Sequence, residues 1–137
     1  MNHTPHPLMI IIAGPYRSGT NDDPHLITEN VHAMNRAALQ VYRAGHIPIL
    51  GEWLALPLIE TAGSQKIGDE IFTEIFHPIA HAIAQRCDAC LRIGGPSQGA
   101  DGMVHLAQSL GRQVFYRLED IPGYAGDRQP DSSNNPV

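Results

Sequence analysis

The chain is short of cysteine, of positive charge and of long apolar runs. Its two cysteines, Cys87 and Cys90, stand in the order Cys-Asp-Ala-Cys. A redox pair of that spacing needs its first thiol at a helix start, where the dipole favours thiolate. Here the pattern falls where a helix ends and a strand begins, so both read as buried structural thiols, and zinc would need two further ligands. Nine Lys and Arg against fourteen Asp and Glu give a formal net charge of -5, with no basic run. That removes the electrostatic footprint of a nucleic-acid partner and the basic face that anionic lipid attracts. The apolar stretch at 8–13 is far below the ~20 residues that span a bilayer and carries neither a cationic leader nor a cleavage region. The expectation is a cytoplasmic chain with no membrane partner. No internal repeat is present.

What the sequence does contain is one alternating pattern. With 137 residues and 42% hydrophobic side chains, one core is expected at 8–122. Residues 1–7 read as a flexible arm and 123–137, dominated by Gly, Asp, Pro, Ser and Asn, as a disordered tail. Leu8 to Ala13 is a continuous apolar run ending at Gly14-Pro15, which fits a strand buried on both faces. Asp23-Pro24 starts a helix whose apolar positions Ile27, Val31, Met34, Ala38, Val41 and Tyr42 recur at helical spacing until Gly45. A short strand over 46–50, a helix over 53–62 and a long amphipathic helix from Asp69 to about Cys87 follow. A strand over 89–93, a helix over 97–110 with Met103, Val104, Ala107 and Leu110 facing inward, and a strand over 113–118 complete the pattern. Alternation of this kind predicts a doubly wound α/β domain with a parallel sheet of four to five strands.

In such a sheet ligands sit beyond the carboxyl ends of the strands. Two turns there carry unusual residues. In Gly14-Pro15-Tyr16-Arg17-Ser18-Gly19 the glycines let backbone amides approach an anion, and Arg17 adds a planar, charged donor fork. In Gly94-Gly95-Pro96-Ser97-Gln98-Gly99-Ala100-Asp101 the chain runs into a helix amino terminus, which favours a bound anion; Ser97 either donates to it or caps the helix. Neither turn has the lysine and hydroxyl pair of a triphosphate loop or the dinucleotide glycine fingerprint, so ATP and NAD are disfavoured and no cofactor is expected.

Four motifs in this order carry a resemblance: Ala-Gly-Pro-Tyr-Arg-Ser after the first strand, Gly-His-Ile-Pro-Ile at the second, Cys-Asp-Ala before the third, and Pro-Ser-Gln-Gly-Ala-Asp opening the last helix. Together, over about 8–121, they resemble the nucleoside 2-deoxyribosyltransferase-like superfamily, nearest a bacterial branch of unassigned function. The resemblance implies a flavodoxin-like, Rossmann-like three-layer fold, a homo-oligomer, and a nucleoside or nucleoside monophosphate as ligand. It also implies cleavage of the bond between base and sugar, with Tyr16 near the sugar and the turns at 14–19 and 95–99 around it. The attacking glutamate of that family aligns with Met103, and a second acid with Ala80, so the usual carboxylate pair is missing.

Asp101 and Glu52 are the candidate substitutes. Asp101 stands two residues before Met103, about 200° away around a helix, and Glu52 lies at the correct sheet edge. Asp69 and Glu70 read as helix caps, and His77 with His81 as a solvated stripe. Trp53 either stacks on a base or covers a subunit contact. Three readings stay open: a nucleotide-directed N-glycosidase or transferase, a nucleotide or sugar-phosphate binding module without turnover, and an oligomeric protein with no small ligand.

Overall fold

The computed structural model of the chain describes residues 6–126; the greater part of the arm at 1–7 and of the tail at 123–137 lies outside the described residues. The elements in order are β1 (Met9–Ala13), α1 (Pro24–Arg43), β2 (Ile47–Ile49), α2 (Gly51–Thr61), α3 (Glu70–Ala84), β3 (Ala89–Arg92), α4 (Gln98–Ser109) and β4 (Gln113–Phe115), followed by a 3-10 turn at Leu118–Asp120. All strand pairs are parallel, in the order β2-β1-β3-β4. The fold is therefore the expected α/β three-layer arrangement, flavodoxin-like in its strand order.

The run of isoleucines in β1 explains how one strand serves two cores. Ile10 and Ile12 pack with Met34, Ala37, Ala38 and Val41 of α1 on one face of the sheet. Ile11 and Ala13 pack with Ala100, Val104 and Ala107 of α4 on the other, as the two-residue period of a strand requires. Both β1 and β3 are covered on both sides, so their sequences are apolar rather than alternating, up to Arg92 at the carboxyl end of β3. Cys87 and Cys90 are buried free thiols in the α4-side core. Burial, reinforced by Asp88 for Cys87 and by Cys87 for Cys90, pushes the thiols up to about 11 and about 12.

Several boundaries differ from the sequence expectation. Helix α2 begins at Gly51, directly after β2, two residues before Trp53, so Glu52 belongs to its first turn. Tyr42 and Leu110, expected to face inward, are exposed: Tyr42 lies about 100° of helix rotation beyond buried Val41, and Leu110 is the C-cap residue past the end of α4. Strand β4 stops at Phe115, and the chain turns back so that Ile121 and Tyr124 close the α1-side core. His46, buried, accepts from the Leu8 amide at Nδ1 and contacts the Pro122 carbonyl at 2.7 Å through Nε2, so its Nε2–H tautomer ties the start of β1 to the end of the packed chain. Among the described residues no helix is long and apolar enough to cross a membrane.

Beyond the carboxyl edge of the sheet, α2 and α3 pack on each other through Ala55, Ile59 and Phe72, with Tyr16 joining them. The closest approach is at Gly51, where an added β-carbon would stand 2.9 Å from Ala80 Cβ. Gly51→Val should force the two helices apart and cost about 1–3 kcal/mol, read as a lower urea midpoint with an unchanged slope; wild-type stability would show that the amino end of α2 is free to shift.

Candidate functional site

The turns after β1 and β3 leave neighbouring strands and meet. A β-carbon at Gly94 would lie 2.6 Å from Pro15 Cδ, and Gly94 itself has φ of +79°, so glycine is required there on both counts. Between the two turns, closed by the first turns of α2 and α4 and by α3, lies a cleft of about 320 Å³.

One wall is aromatic. Tyr16 is tilted by 37° against Phe76 at 5.0 Å and stacks toward Phe72 at 6.3 Å between ring centroids, and the two phenyl rings lie 4.7 Å apart and nearly parallel. The Tyr16 carbonyl accepts from Asn30 Nδ2 at 2.9 Å, so α1 pins the turn that presents the ring. Burial raises the Tyr16 phenol above its ordinary value, with Glu52 adding to the rise and Arg17 opposing it.

Arg17 is held at the mouth. Its Nε and Nη2 donate to the two carboxylate oxygens of Asp22, each at 2.9 Å, and its guanidinium lies 5.7 Å over the Phe72 ring, within cation–π range. Asn21 and Asp22 both take left-handed backbone angles, φ 52° and 58°, a conformation these short polar residues tolerate better than most. The Asp22 amide is fixed there by the Thr20 hydroxyl at 3.1 Å.

The second turn is organised by Arg92, which donates to Asp101 at 3.1 Å, to the Gly95 carbonyl at 2.9 Å and to the Ile93 carbonyl. Ser97 caps α4 by accepting from the Ala100 amide at 3.1 Å. The Gln98 and Gly99 amides, in the same first turn, have no carbonyl of their own helix to bind.

Glu52 enters the cleft from the first turn of α2. A carboxylate gains about 0.3–1 kcal/mol from a helix amino terminus, and its own backbone amide also favours the charge. Burial outweighs both and pushes its carboxyl from 4.5 up to about 7. His77, on α3, also lines the cleft. Its imidazole is held below its ordinary value, first by burial and then by His81 and Arg17.

Of the residues singled out from sequence, Gly14, Tyr16, Arg17, Ser18, Glu52, Ser97, Gly99 and Met103 line this cleft, whereas Pro15, Gly19, Trp53, Gly95 and Asp101 do not. Pro15 packs under Gly94 and Gly95 serves Arg92. Asp101 is turned outward onto Arg92, its side chain 59% exposed, as its rotation from Met103 requires. Trp53 lies outside, donating to Asn35 Oδ1 at 3.0 Å. His77 is exposed, as a solvated stripe requires, and also lines the rim of the cleft, while His81 is outside it. Phe72 and Phe76, which read as core from their spacing, turn two rings to the cleft because α3 overhangs the sheet. Asp69 caps α3 as expected, accepting from the Phe72 amide at 2.9 Å. Among the described residues no three His, Cys, Asp or Glu side chains converge on a metal-sized site.

No protein-family model matches the chain, and no curated protein matches it either.

A raised carboxyl means that the folded state binds the Glu52 proton more tightly than the unfolded chain. Its stabilising contribution is complete below the unfolded value of 4.5 and is lost as pH rises through about 7. Glu52→Gln should therefore match wild-type stability near the bottom of that window and exceed it by up to about 3 kcal/mol well above it. Urea unfolding on both sides of the window measures this; an equal difference at all pH values would show that the carboxyl is solvated.

Proposed function

We propose that the cleft binds a nucleoside or nucleoside monophosphate and that the protein acts on its N-glycosidic bond. The observation that carries this reading is a partly buried carboxyl group in the wall of a cleft that is also lined by an arginine fork and a cluster of aromatic rings. Such a cavity, near the lower end of the ~300–1,000 Å³ range for small-ligand sites, offers a planar base an apolar face at Tyr16 and Phe76. Arg17 and the first-turn amides of α4 suit a phosphate or a sugar hydroxyl. A carboxyl titrating near neutrality inside a cleft is a mark of acid–base work.

The resemblance to nucleoside 2-deoxyribosyltransferases agrees in one specific respect. The positions at which that family's two acids align, Met103 and Ala80, both line the cleft. Gly51 rests on Ala80, so the next residue, Glu52, brings a carboxyl in beside the position where one is missing. The chemistry needs a proton for the departing base and a nucleophile or activated water for the anomeric carbon, and Glu52 supplies the first requirement from a different helix.

A second reading, binding without turnover, is favoured by Met103, whose thioether can neither attack the sugar nor share its positive charge. One panel separates the two. Nucleosides and their 5′-monophosphates should raise the melting temperature, since a ligand bound only by the native state stabilises it, and free base should accumulate if the bond is cleaved. Stabilisation without base selects the binding module; neither effect from a folded protein removes both readings. Arg17→Ala should weaken monophosphate binding about 10- to 100-fold, the value of a charge-assisted hydrogen bond, and leave unphosphorylated nucleoside less affected.

A further inference from the structure

Four cleft-lining residues carry a protonatable side chain: Tyr16, Arg17, Glu52 and His77. Arg17 keeps its charge at any working pH and is gripped by Asp22. The phenol of Tyr16 is driven further from neutrality by burial. Two groups remain, the Glu52 carboxyl and the His77 imidazole, and they stand on the two helices that meet where Gly51 touches Ala80.

His77 stands at the exposed rim of the cleft, beside two of its walls. Its ring stands edge-on to Phe76, with centroids 5.2 Å apart and planes at 84°. On the other side its Cε1 is 3.1 Å from where a Gly99 β-carbon would stand. The imidazole thus lies between Phe76 and the first turn of α4, where a larger residue in position 99 would press on it.

We propose that Glu52 and His77 form the acid–base pair of this cleft, Glu52 protonating the departing base and His77 accepting the proton of the attacking water. The inference rests on the N-glycosidic reading above. In the step, water oxygen bonds to the anomeric carbon while the carbon–nitrogen bond breaks, its electron pair going to the base nitrogen. The Glu52 proton goes to that base, directly or at a conjugated ring atom, and the water proton goes to His77. Free base and free sugar leave, and proton transfer from the imidazolium to the carboxylate, through solvent, restores both groups. No oxidant, reductant or second substrate is required.

The opposed shifts agree with these roles. Glu52 keeps its proton up to about 7, while His77 gives its proton up below its ordinary value. Groups whose surroundings move them apart in this way divide into acid and base. The charged and titratable groups facing the pair are Tyr16 and Arg17 from the β1 turn and His81 from α3. The first turn of α4 brings Ser97, Gln98, Gly99 and Ala100 to the cleft, none of which titrates.

The test is the pH profile of hypoxanthine release from inosine and from inosine 5′-monophosphate, by wild type, Glu52→Gln and His77→Gln, with folding checked by circular dichroism. Wild-type kcat/KM should fall tenfold per pH unit above about 7 and again on the acid side. Glu52→Gln should lose the alkaline limb and at least about 100-fold in rate, and His77→Gln the acid limb with a similar loss. Titration of the ligand's phosphate is common to all three proteins and cancels in their ratios. If hypoxanthine is released but either limb survives its variant, the pair is wrong and the N-glycosidic reading stands. If the ligands raise the melting temperature and wild type releases no base, the pair is wrong and the binding reading stands. If neither ligand stabilises the protein or is cleaved, both fall.

Discussion

Parallel pairing of β1 with β3, from Ile10 opposite Ala89 to Ala13 opposite Arg92, is the constraint on which the cleft depends. The chain leaves β1 toward α1 on one face of the sheet and leaves β3 toward α4 on the other. The two turns must therefore part just beyond the strand ends, and a crevice opens there with no further design. What the sequence adds is the closeness of the turns. Pro15 fills the space that a side chain at Gly94 would take, and Arg92 gathers the carbonyls of Ile93 and Gly95 with Asp101, which keeps the second turn compact.

The crevice becomes a cleft only because α2 and α3 extend past the sheet. The long crossover between β2 and β3 is built as two helices with their own small apolar core, and the smallest residues, Gly51 and Ala80, sit where they come closest. That contact decides the electrostatics. Glu52 follows Gly51 and is carried into an apolar wall. The resulting rise from 4.5 to about 7 corresponds to about 3 kcal/mol, several times what the amino end of α2 returns. Burial sets the protonation state, and the helix terminus only moderates it.

The layered fold was legible in the sequence because β1 is apolar on both faces and α1 keeps one stripe between an Asp-Pro start and a glycine stop. Much of the cleft lining was legible, most directly where the backbone itself carries it. Gly14, Arg17, Ser97 and Gly99 stand in turns whose place at the sheet edge follows from topology. The opposite facing of Asp101 and Met103 followed from helix rotation alone. The aromatic wall was not legible, since Phe72 and Phe76 share the spacing of core residues and nothing local says that α3 overhangs the sheet. His77 was hidden for the same reason: its neighbours in the cleft are Phe76 and, across a gap of sequence, Gly99.

The left-handed pair Asn21 and Asp22 fixes the shape of the first turn. Two consecutive residues in that region cost of order 1–2 kcal/mol each for an ordinary side chain, less for Asn and Asp. An exposed ion pair returns at most about 1 kcal/mol, and Arg17 and Asp22 are 40% and 44% exposed, so the ion pair alone does not offset the strain. What the geometry secures is direction: the fork is aimed before any ligand arrives, and Phe72 supports the guanidinium from beneath. Because the pair with Asp22 is weak in water, an incoming anion can share Arg17 with it at small cost, while the ring keeps the cation in place. Pre-aiming of this kind would lower the ordering entropy of binding, which is what the proposed anion site asks of this turn.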